Sequence, residues 1–214
     1  MAYSFAEPMS RSLAHPHATA TAPSRAARSV PGLSSCAVVE DVAPSSDAPA
    51  RIVRLSPGRV LLRKFANEIM TTHPIVSGVA LGVIDRRLGV AALWHAEHAR
   101  LADLGRANPL PVTAAIDAGA PMLFRFLAEM GSRCADQEVM AIGGAMVRQV
   151  FISVRILRDP GRDNADELRR QMRMLGVAPL RAELGGRQTR VLRIDLVRRS
   201  LEIEALDTPE YCAD

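Results

Sequence analysis

Residues 72–95 read THPIVSGVALGVIDRRLGVAALWH, and this stretch predicts the centre of the fold. Two apolar runs, 77–85 and 88–96, meet at a short polar link that begins at Asp85. Apolar runs with so little alternation are typical of strands that are buried on both faces of a sheet. Thr72 precedes the first run and His95 lies near the end of the second. The stretch therefore predicts two neighbouring strands, with a threonine at the beginning and a histidine at the end.

Further strands are predicted on both sides of this pair. Pro57-Gly58 is a strong turn signal, so the segments around it form either a hairpin or a bend between strands. Gly185-Gly186 predicts a hairpin turn near the C-terminus. The additional strands predicted in this way are 51–55, 59–65, 137–146, 177–184, 188–196 and 200–205.

Two helices are predicted between the later strands. Apolar residues recur at helical spacing from Met122 to Met130; proline is tolerated only in a first turn, so the strong part of this helix should begin at Pro121. Gly131 should end it. A second helix is predicted over 164–176, with Asp163 or Asn164 as its cap and Gly176 at its end. The sum is an α/β fold, a single layered domain with a mixed β-sheet and about two main helices.

The N-terminal region differs in composition from the rest of the chain. Ala, Ser and Pro supply 27 of residues 1–50, without helical or strand periodicity. Such a segment buries too little apolar surface to offset its ordering entropy, so residues 1–50 are expected to be a disordered tail. The domain is expected over 51–206, followed by a C-terminal tail at 207–214.

Charge and cysteine usage argue against several functions. The formal net charge is +4, but the basic residues, almost all arginine, are spread along the chain, so a solvated surface is favoured over nucleic-acid binding. The three cysteines form no CxxC pair, which argues against a zinc site or disulfide framework and favours a cytoplasmic location. His95 and His98 lack further clustered ligands, so no metal is expected. No apolar run reaches the roughly 20 residues of a membrane span, so no membrane insertion is expected.

Short motifs within 51–206 occur in an order and spacing that resembles the chemoreceptor glutamine deamidase (CheD) family. That family carries a nucleophilic cysteine six residues after a threonine and seventeen before a histidine. Here the three positions are Thr72, Gly78 and His95, so a glycine stands at the position of the nucleophile. The other matching segments are Ser77, Val79, Ala80, Asp85, Leu55-Ser56-Pro57-Gly58, Gly143-Gly144-Ala145, Gly161-Arg162-Asp163-Asn164 and Gly185-Gly186-Arg187, whereas Ile75, Val76 and Arg59 depart from the family pattern.

The resemblance implies a cytoplasmic chemotaxis protein that hydrolyses the side-chain amides of specific glutamines on methyl-accepting chemoreceptors. In such a Cys-His-Thr site, His95 would be the general base and acid, and Thr72 would orient it. Backbone N–H groups near Gly78 and Val79 would hold the oxyanion. The resemblance implies no cofactor and no metal. It implies the receptors' cytoplasmic helices as substrate and a CheC-type phosphatase as a possible partner.

Gly78 leaves the activity open between two hypotheses. The first is a working protein-glutamine deamidase, which would need a thiol from elsewhere in the chain. Cys36, in the tail, lies in a short segment that resembles the family's cysteine motif. The second is a catalytically inactive relative that binds receptors or a CheC-type phosphatase. Ser77 is a poor replacement, since neighbouring strand residues point to opposite faces. An unrelated α/β domain with similar glycine turns is a third alternative.

Overall fold

The structure, a computed structural model, describes residues 49–105, 110–146 and 159–206. Within these residues, two β-sheets pack face to face and two α-helices cover the outer face of the larger sheet. The predicted α/β layered fold with two main helices is confirmed. Except for residues 49 and 50, the predicted tails lie outside the described residues, so the division into domain and tails stays a prediction.

The larger sheet has five strands and contains the pair from which the sequence argument began. Its central strands are fully buried along their whole length and run antiparallel, with Val79 opposite Ala96 and Asp85 opposite Val90. The predicted strand pair is therefore confirmed. The strand order is β2-β5-β4-β6-β7, with bounds β2 Val60–Lys64, β4 Val79–Asp85, β5 Val90–Ala96, β6 Gln137–Gly143 and β7 Arg181–Leu184.

The smaller sheet has four strands in the order β1-β3-β8-β9. Strand β1 pairs with β3 in parallel, whereas β3 with β8 and β8 with β9 are antiparallel. The bounds are β1 Arg51–Leu55, β3 Glu68–Thr72, β8 Thr189–Asp195 and β9 Ser200–Leu206. Strand β3 was not among the predicted strands. It matters for the site because Thr72 is its last residue.

Two apolar cores hold the three layers together, which explains why β4 and β5 are apolar on both faces. Between the sheets lie side chains such as Ala80, Leu93 and Leu192. Between the five-stranded sheet and the helices lie side chains such as Leu81 and Trp94. Adjacent residues of β4 thus enter different cores, as the alternation of strand side chains requires.

Helix α1 spans Ile116–Glu129, so the prediction that its strong part begins at Pro121 is wrong. Pro121 lies inside the helix. The first turn is held from outside: the backbone N–H of Ile116 donates to the carbonyl of His98 at 2.8 Å. This tertiary contact supports a turn that local sequence rules do not predict. The predicted end is confirmed, since Gly131 follows the helix with a left-handed φ of 88°.

Helix α2 spans Pro160–Met174 and begins four residues before the predicted start. Asp159 is its N-cap, and its Oδ1 accepts two backbone N–H groups of the first turn at 3.0 and 3.3 Å. The predicted caps, Asp163 and Asn164, are wrong. The Asp-Pro sequence is itself a capping signal, because proline suits the first helical position. Asn164 is thereby left inside the helix with its amide available for other partners.

The two predicted glycine turns have different outcomes, because the structure selects the bend at Pro57-Gly58 and contradicts the hairpin at Gly185-Gly186. The residues around Pro57-Gly58 form a bend rather than a hairpin, because β1 and β2 belong to different sheets. The hairpin predicted at Gly185-Gly186 is wrong for the same reason: β7 lies in the five-stranded sheet and β8 in the four-stranded one. Both glycines do adopt left-handed φ values, 90° and 80°. The turn signal was correct, but a turn signal does not show which sheet the next strand joins.

No helix in the described part of the chain is both long enough and apolar enough to cross a membrane.

Candidate functional site

Gly78 and His95 lie side by side at one end of the five-stranded sheet. Ala80 of β4 is opposite His95 of β5, and Gly78 precedes the first ladder pair of β4 by one residue. A Cβ atom built on Gly78 would stand 2.9 Å from Nε2 of His95 and 2.9 Å from the carbonyl oxygen of Ala96. The φ of Gly78 lies outside the left-handed region. The backbone conformation at residue 78 would therefore accept a side chain, but that side chain would be too close to the imidazole of His95 and to the carbonyl of Ala96.

The imidazole of His95 is buried and uncharged at neutral pH. Only 3% of the residue is exposed. Burial lowers the pKa of His95 to about 4, with a smaller contribution from the nearby charge of His73. Its Nδ1 atom is buried without a hydrogen-bond partner among the described residues. A neutral ring can accept a proton, so His95 keeps the protonation state that a general base requires.

The bend at Pro57-Gly58 holds the backbone of His95. The N–H of Gly58 donates to the carbonyl of His95 at 2.9 Å, and the N–H of His95 donates to the carbonyl of Arg59 at 3.3 Å. The Gly58 carbonyl in turn accepts the hydroxyl of Thr113 at 2.6 Å. This first motif therefore lies against the histidine strand, and its contribution to the site is positional.

Thr72 is buried at the end of β3, and its hydroxyl oxygen faces strand β8. The Oγ1 atom accepts the backbone N–H of Leu192 at 3.1 Å. In this arrangement the threonine joins β3 to β8, while Nδ1 of His95 has no hydrogen-bond partner within the part of the chain that the structure describes. The predicted role of Thr72 as the group that orients His95 stays a prediction.

The glycine pair at the end of β6, Gly143-Gly144, forms the wall next to residue 78. The N–H of Gly144 donates to the carbonyl of Gly78 at 2.6 Å. Gly143 has a φ of 108°, and a Cβ on it would collide with the Gly78 carbonyl oxygen. The next residue, Ala145, donates its N–H to the carbonyl of Val76 at 2.8 Å. Glycine is needed here because the two backbones are in direct contact.

Asn164 connects helix α2 to both sides of the site. Its Nδ2 atom donates to the carbonyl of Ser77 and to the carbonyl of Glu97, each at 2.9 Å. The side chain is not the helix cap that the sequence predicted. The signal that was available is the spacing of Gly161 and Asn164 at the start of the helix, but the partners lie 87 and 67 residues away along the chain.

Strand β8, which follows the Gly185-Gly186-Arg187 motif, closes the other side of the Val76–Gly78 segment. Ile75 and Arg190 exchange backbone hydrogen bonds at 2.8 and 3.0 Å, which joins the segment before Gly78 to β8. The guanidinium of Arg190 is buried and donates to Glu183 at 3.1 Å and to the carbonyl of Gly185 at 3.0 Å. Motifs that are scattered in the sequence therefore converge on residues 75–78.

The chain is similar in sequence to a protein of known family. It is 29% identical over 132 residues to the probable chemoreceptor glutamine deamidase CheD of Pyrococcus horikoshii, which covers 61% of this chain and 78% of that protein. This similarity indicates a CheD-like relationship. No family model matches the chain.

Two solved structures are distant neighbours. The hypothetical protein YfiH of Bacillus licheniformis has a TM-score of 0.33 at 12% identity, over 63% of this chain and 58% of that one. YlmD of Geobacillus stearothermophilus has a TM-score of 0.35 at 13% identity, over 60% and 50%. The matches thus cover 58% of the first neighbour and half of the second. TM-scores this low do not establish a common fold.

A CheD-like relationship makes the position of the thiols important. Cys134 is exposed and lies just before β6, whereas Gly78 is beside the far end of that strand. Strand β6 is seven residues long, so about 20 Å separate its two ends. Cys134 therefore does not reach His95. Cys36 and Cys212 lie outside the described residues.

Among the described residues, no cluster of three or more His, Cys, Asp or Glu side chains could hold a metal ion. A groove of about 730 Å³ lies along helix α2, but neither Gly78 nor His95 lines it. Its walls are charged and include Arg100, Asp163 and Arg170. The site is therefore a buried imidazole beside a glycine, in a frame of backbone contacts.

Proposed function

We propose that this chain is a CheD-like chemotaxis protein that binds chemoreceptors at the surface around Gly78 and His95, without hydrolysing glutamine amides through a thiolate at residue 78. The relationship to a probable chemoreceptor glutamine deamidase supports the receptor as partner. The observation that carries the rest is that residue 78 is a glycine where a Cβ would stand 2.9 Å from Nε2 of His95, so no side chain there can act as a nucleophile.

Amide hydrolysis of this kind needs a nucleophile, a base beside it, and a group that orients the base. His95 is neutral and could serve as a base. It has nothing to deprotonate at residue 78. Removing a nucleophile from such a unit lowers the rate by roughly 10⁴ or more. A retained imidazole therefore does not restore useful turnover by itself.

The hydrogen bonds around residue 78 support a binding role, because they fix the backbone of this segment although the nucleophile is absent. Backbone hydrogen bonds from Gly144 and Ala145, and the amide of Asn164, all hold the segment around Gly78. The exposed side chains of Val76 and Met146 flank the same segment. Such a surface offers apolar contacts beside a shaped backbone. A CheC-type phosphatase is the second partner that the resemblance implies.

A working deamidase is the second candidate. The specific observation in its favour is that Nε2 of His95 faces the position of the missing side chain, so the base is aimed where a nucleophile would be needed. Under this alternative, a thiol from elsewhere in the chain, such as Cys36, enters the site.

The test uses the full chain and the cytoplasmic fragment of a chemoreceptor from the same genome. Binding is measured by calorimetry, and glutamine conversion is followed by peptide mass spectrometry. We expect binding and no conversion in the natural protein. Conversion that His95→Ala abolishes and His98→Ala retains would overturn the proposal in favour of the deamidase. Absence of binding to receptor fragments and to a CheC-type phosphatase alike would also overturn it.

A Gly78→Cys variant provides the positive control for conversion. If the frame still suits the chemistry, this variant gains activity that depends on His95. Measuring a Cys36→Ala variant in parallel identifies the thiol, if the natural protein converts glutamine after all.

A further inference from the structure

We infer that Asn164 is a positioning residue: its carboxamide clamps the two chain segments that carry Gly78 and His95, and so sets their spacing. The inference concerns the site of the proposed function, but it makes a statement about geometry that does not depend on receptor binding.

The amide uses both of its hydrogens for this clamp. One donates to the carbonyl of Ser77, one residue before Gly78, and the other to the carbonyl of Glu97, two residues after His95. Both distances are 2.9 Å, and the residue is only 2% exposed. An NH₂ group with two donors is one of the few side-chain groups that can satisfy two carbonyls at once.

The clamp lies where the β-ladder stops. The last pair of the β4–β5 ladder is Val79 with Ala96. Ser77 and Glu97 lie beyond that pair, outside both strands. The amide of Asn164 bonds both residues and so links the two segments just beyond the end of the ladder. Residue 78 lies inside the bridged region, which keeps it against the imidazole of His95.

Helix capping does not account for this asparagine. Asp159 already caps α2, and Asn164 lies more than one turn inside the helix. Asparagine is a poor helix former at interior positions, since its side chain competes for backbone groups. The cost of asparagine at this helical position is offset because its amide bonds two carbonyls of other segments.

The helix that carries Asn164 is itself held close to the site. A Cβ on Gly161 would collide with the carbonyl of Ala145, and a Cβ on Gly144 would stand 2.6 Å from Cβ of Ala165. The first two turns of α2 therefore touch the wall formed after β6. Because this approach is so close, the amide of Asn164 has little freedom to move away from its two carbonyls.

The test compares Asn164→Ala with Gln171→Ala. Gln171 is the matched control, because it is a buried amide on the same helix that bonds Glu167 rather than the site. The readout is the titration of His95, followed by NMR of the imidazole carbons. Without the clamp, the segments separate and water reaches the ring. We expect the pKa of His95 to rise from about 4 by about one pH unit or more in Asn164→Ala, and to stay unchanged in Gln171→Ala.

An unchanged His95 titration in a folded Asn164→Ala protein would overturn the inference and leave only a structural role. Asn164→Ser, which keeps one donor, covers the case in which the alanine variant does not fold, and its titration should shift in the same direction by less. An unchanged titration there would equally overturn the inference. Neither measurement needs a receptor, so its failure is distinguishable from failure of the proposed function.

Discussion

Nε2 of His95 lies 2.9 Å from the point where a Cβ on Gly78 would stand, so the imidazole occupies the edge of the space that a side chain at residue 78 would need. The carbonyl oxygen of Ala96 limits the same space from the backbone side, also at 2.9 Å. The glycine and the ring are thus fitted to each other. A larger residue at 78 requires one of these neighbours to shift.

Gly78→Ala is expected to lower the free energy of unfolding by about 1–3 kcal/mol, the usual cost of an added methyl in a packed site. Urea unfolding measures this cost. The control is the same substitution in a His95→Ala background, where the cost should fall because one of the two close contacts has been removed. An equal cost in both backgrounds would show that His95 does not restrict residue 78.

Thr72→Val is expected to lower the free energy of unfolding by about 1–3 kcal/mol, because the buried N–H of Leu192 loses its acceptor. Thr72→Ser keeps the hydroxyl and should cost only about 1 kcal/mol for the lost methyl. Equal losses in the two variants would contradict the structural role of the hydroxyl. The measurement is again the unfolding midpoint in urea.

Local patterns were sufficient to predict much of the fold. The apolar runs ending at Asp85 and Ala96 predict β4 and β5, because strands covered on both faces need no polar alternation. Connections were predicted less well. Gly185-Gly186 signals a turn, but whether the chain then pairs with its predecessor or crosses to another sheet depends on packing that is remote in sequence. The start of α1 depends in the same way on the carbonyl of His98.

In the candidate site, too, local relationships can be predicted from the sequence and long-range contacts cannot. The spacing from Gly78 to His95 is local to one strand pair, so the sequence alone could predict that they are neighbours. The partners of Asn164 are not local, because they depend on how α2 docks against β6. The helix uses Asp159-Pro160 as its capping signal, so Asn164 lies inside the helix rather than at its predicted cap. The spacing of Gly161 and Asn164 marks the asparagine, but it does not show which distant carbonyls the amide bonds.

Gly143→Ala is expected to be far more damaging than Gly131→Ala, although both glycines have left-handed φ values of 108° and 88°. A Cβ on Gly131 meets nothing within 4 Å, so that substitution should cost only the conformational strain of about 1–2 kcal/mol. A Cβ on Gly143 collides with the carbonyl of Gly78. The added collision should bring the total to about 3 kcal/mol or more. Similar unfolding midpoints for the two variants would contradict the direct contact between β6 and the Gly78 segment.

The stability of the protein should depend on pH through His95. Its pKa is lowered from 6.5 to about 4 in the folded protein, so the unfolded chain binds more protons between these two values. The stabilisation is therefore complete above pH 6.5 and is lost progressively as the pH falls toward 4. The gap corresponds to roughly 3 kcal/mol at most.

His95→Gln removes the titrating group, so the difference in unfolding free energy between this variant and the natural protein isolates the contribution of His95 from that of the carboxylates. We expect that difference to change across pH 4 to 6.5 and to be constant above it. Parallel curves over the whole range would mean that the imidazole titrates normally, and hence that the ring beside Gly78 is open to water.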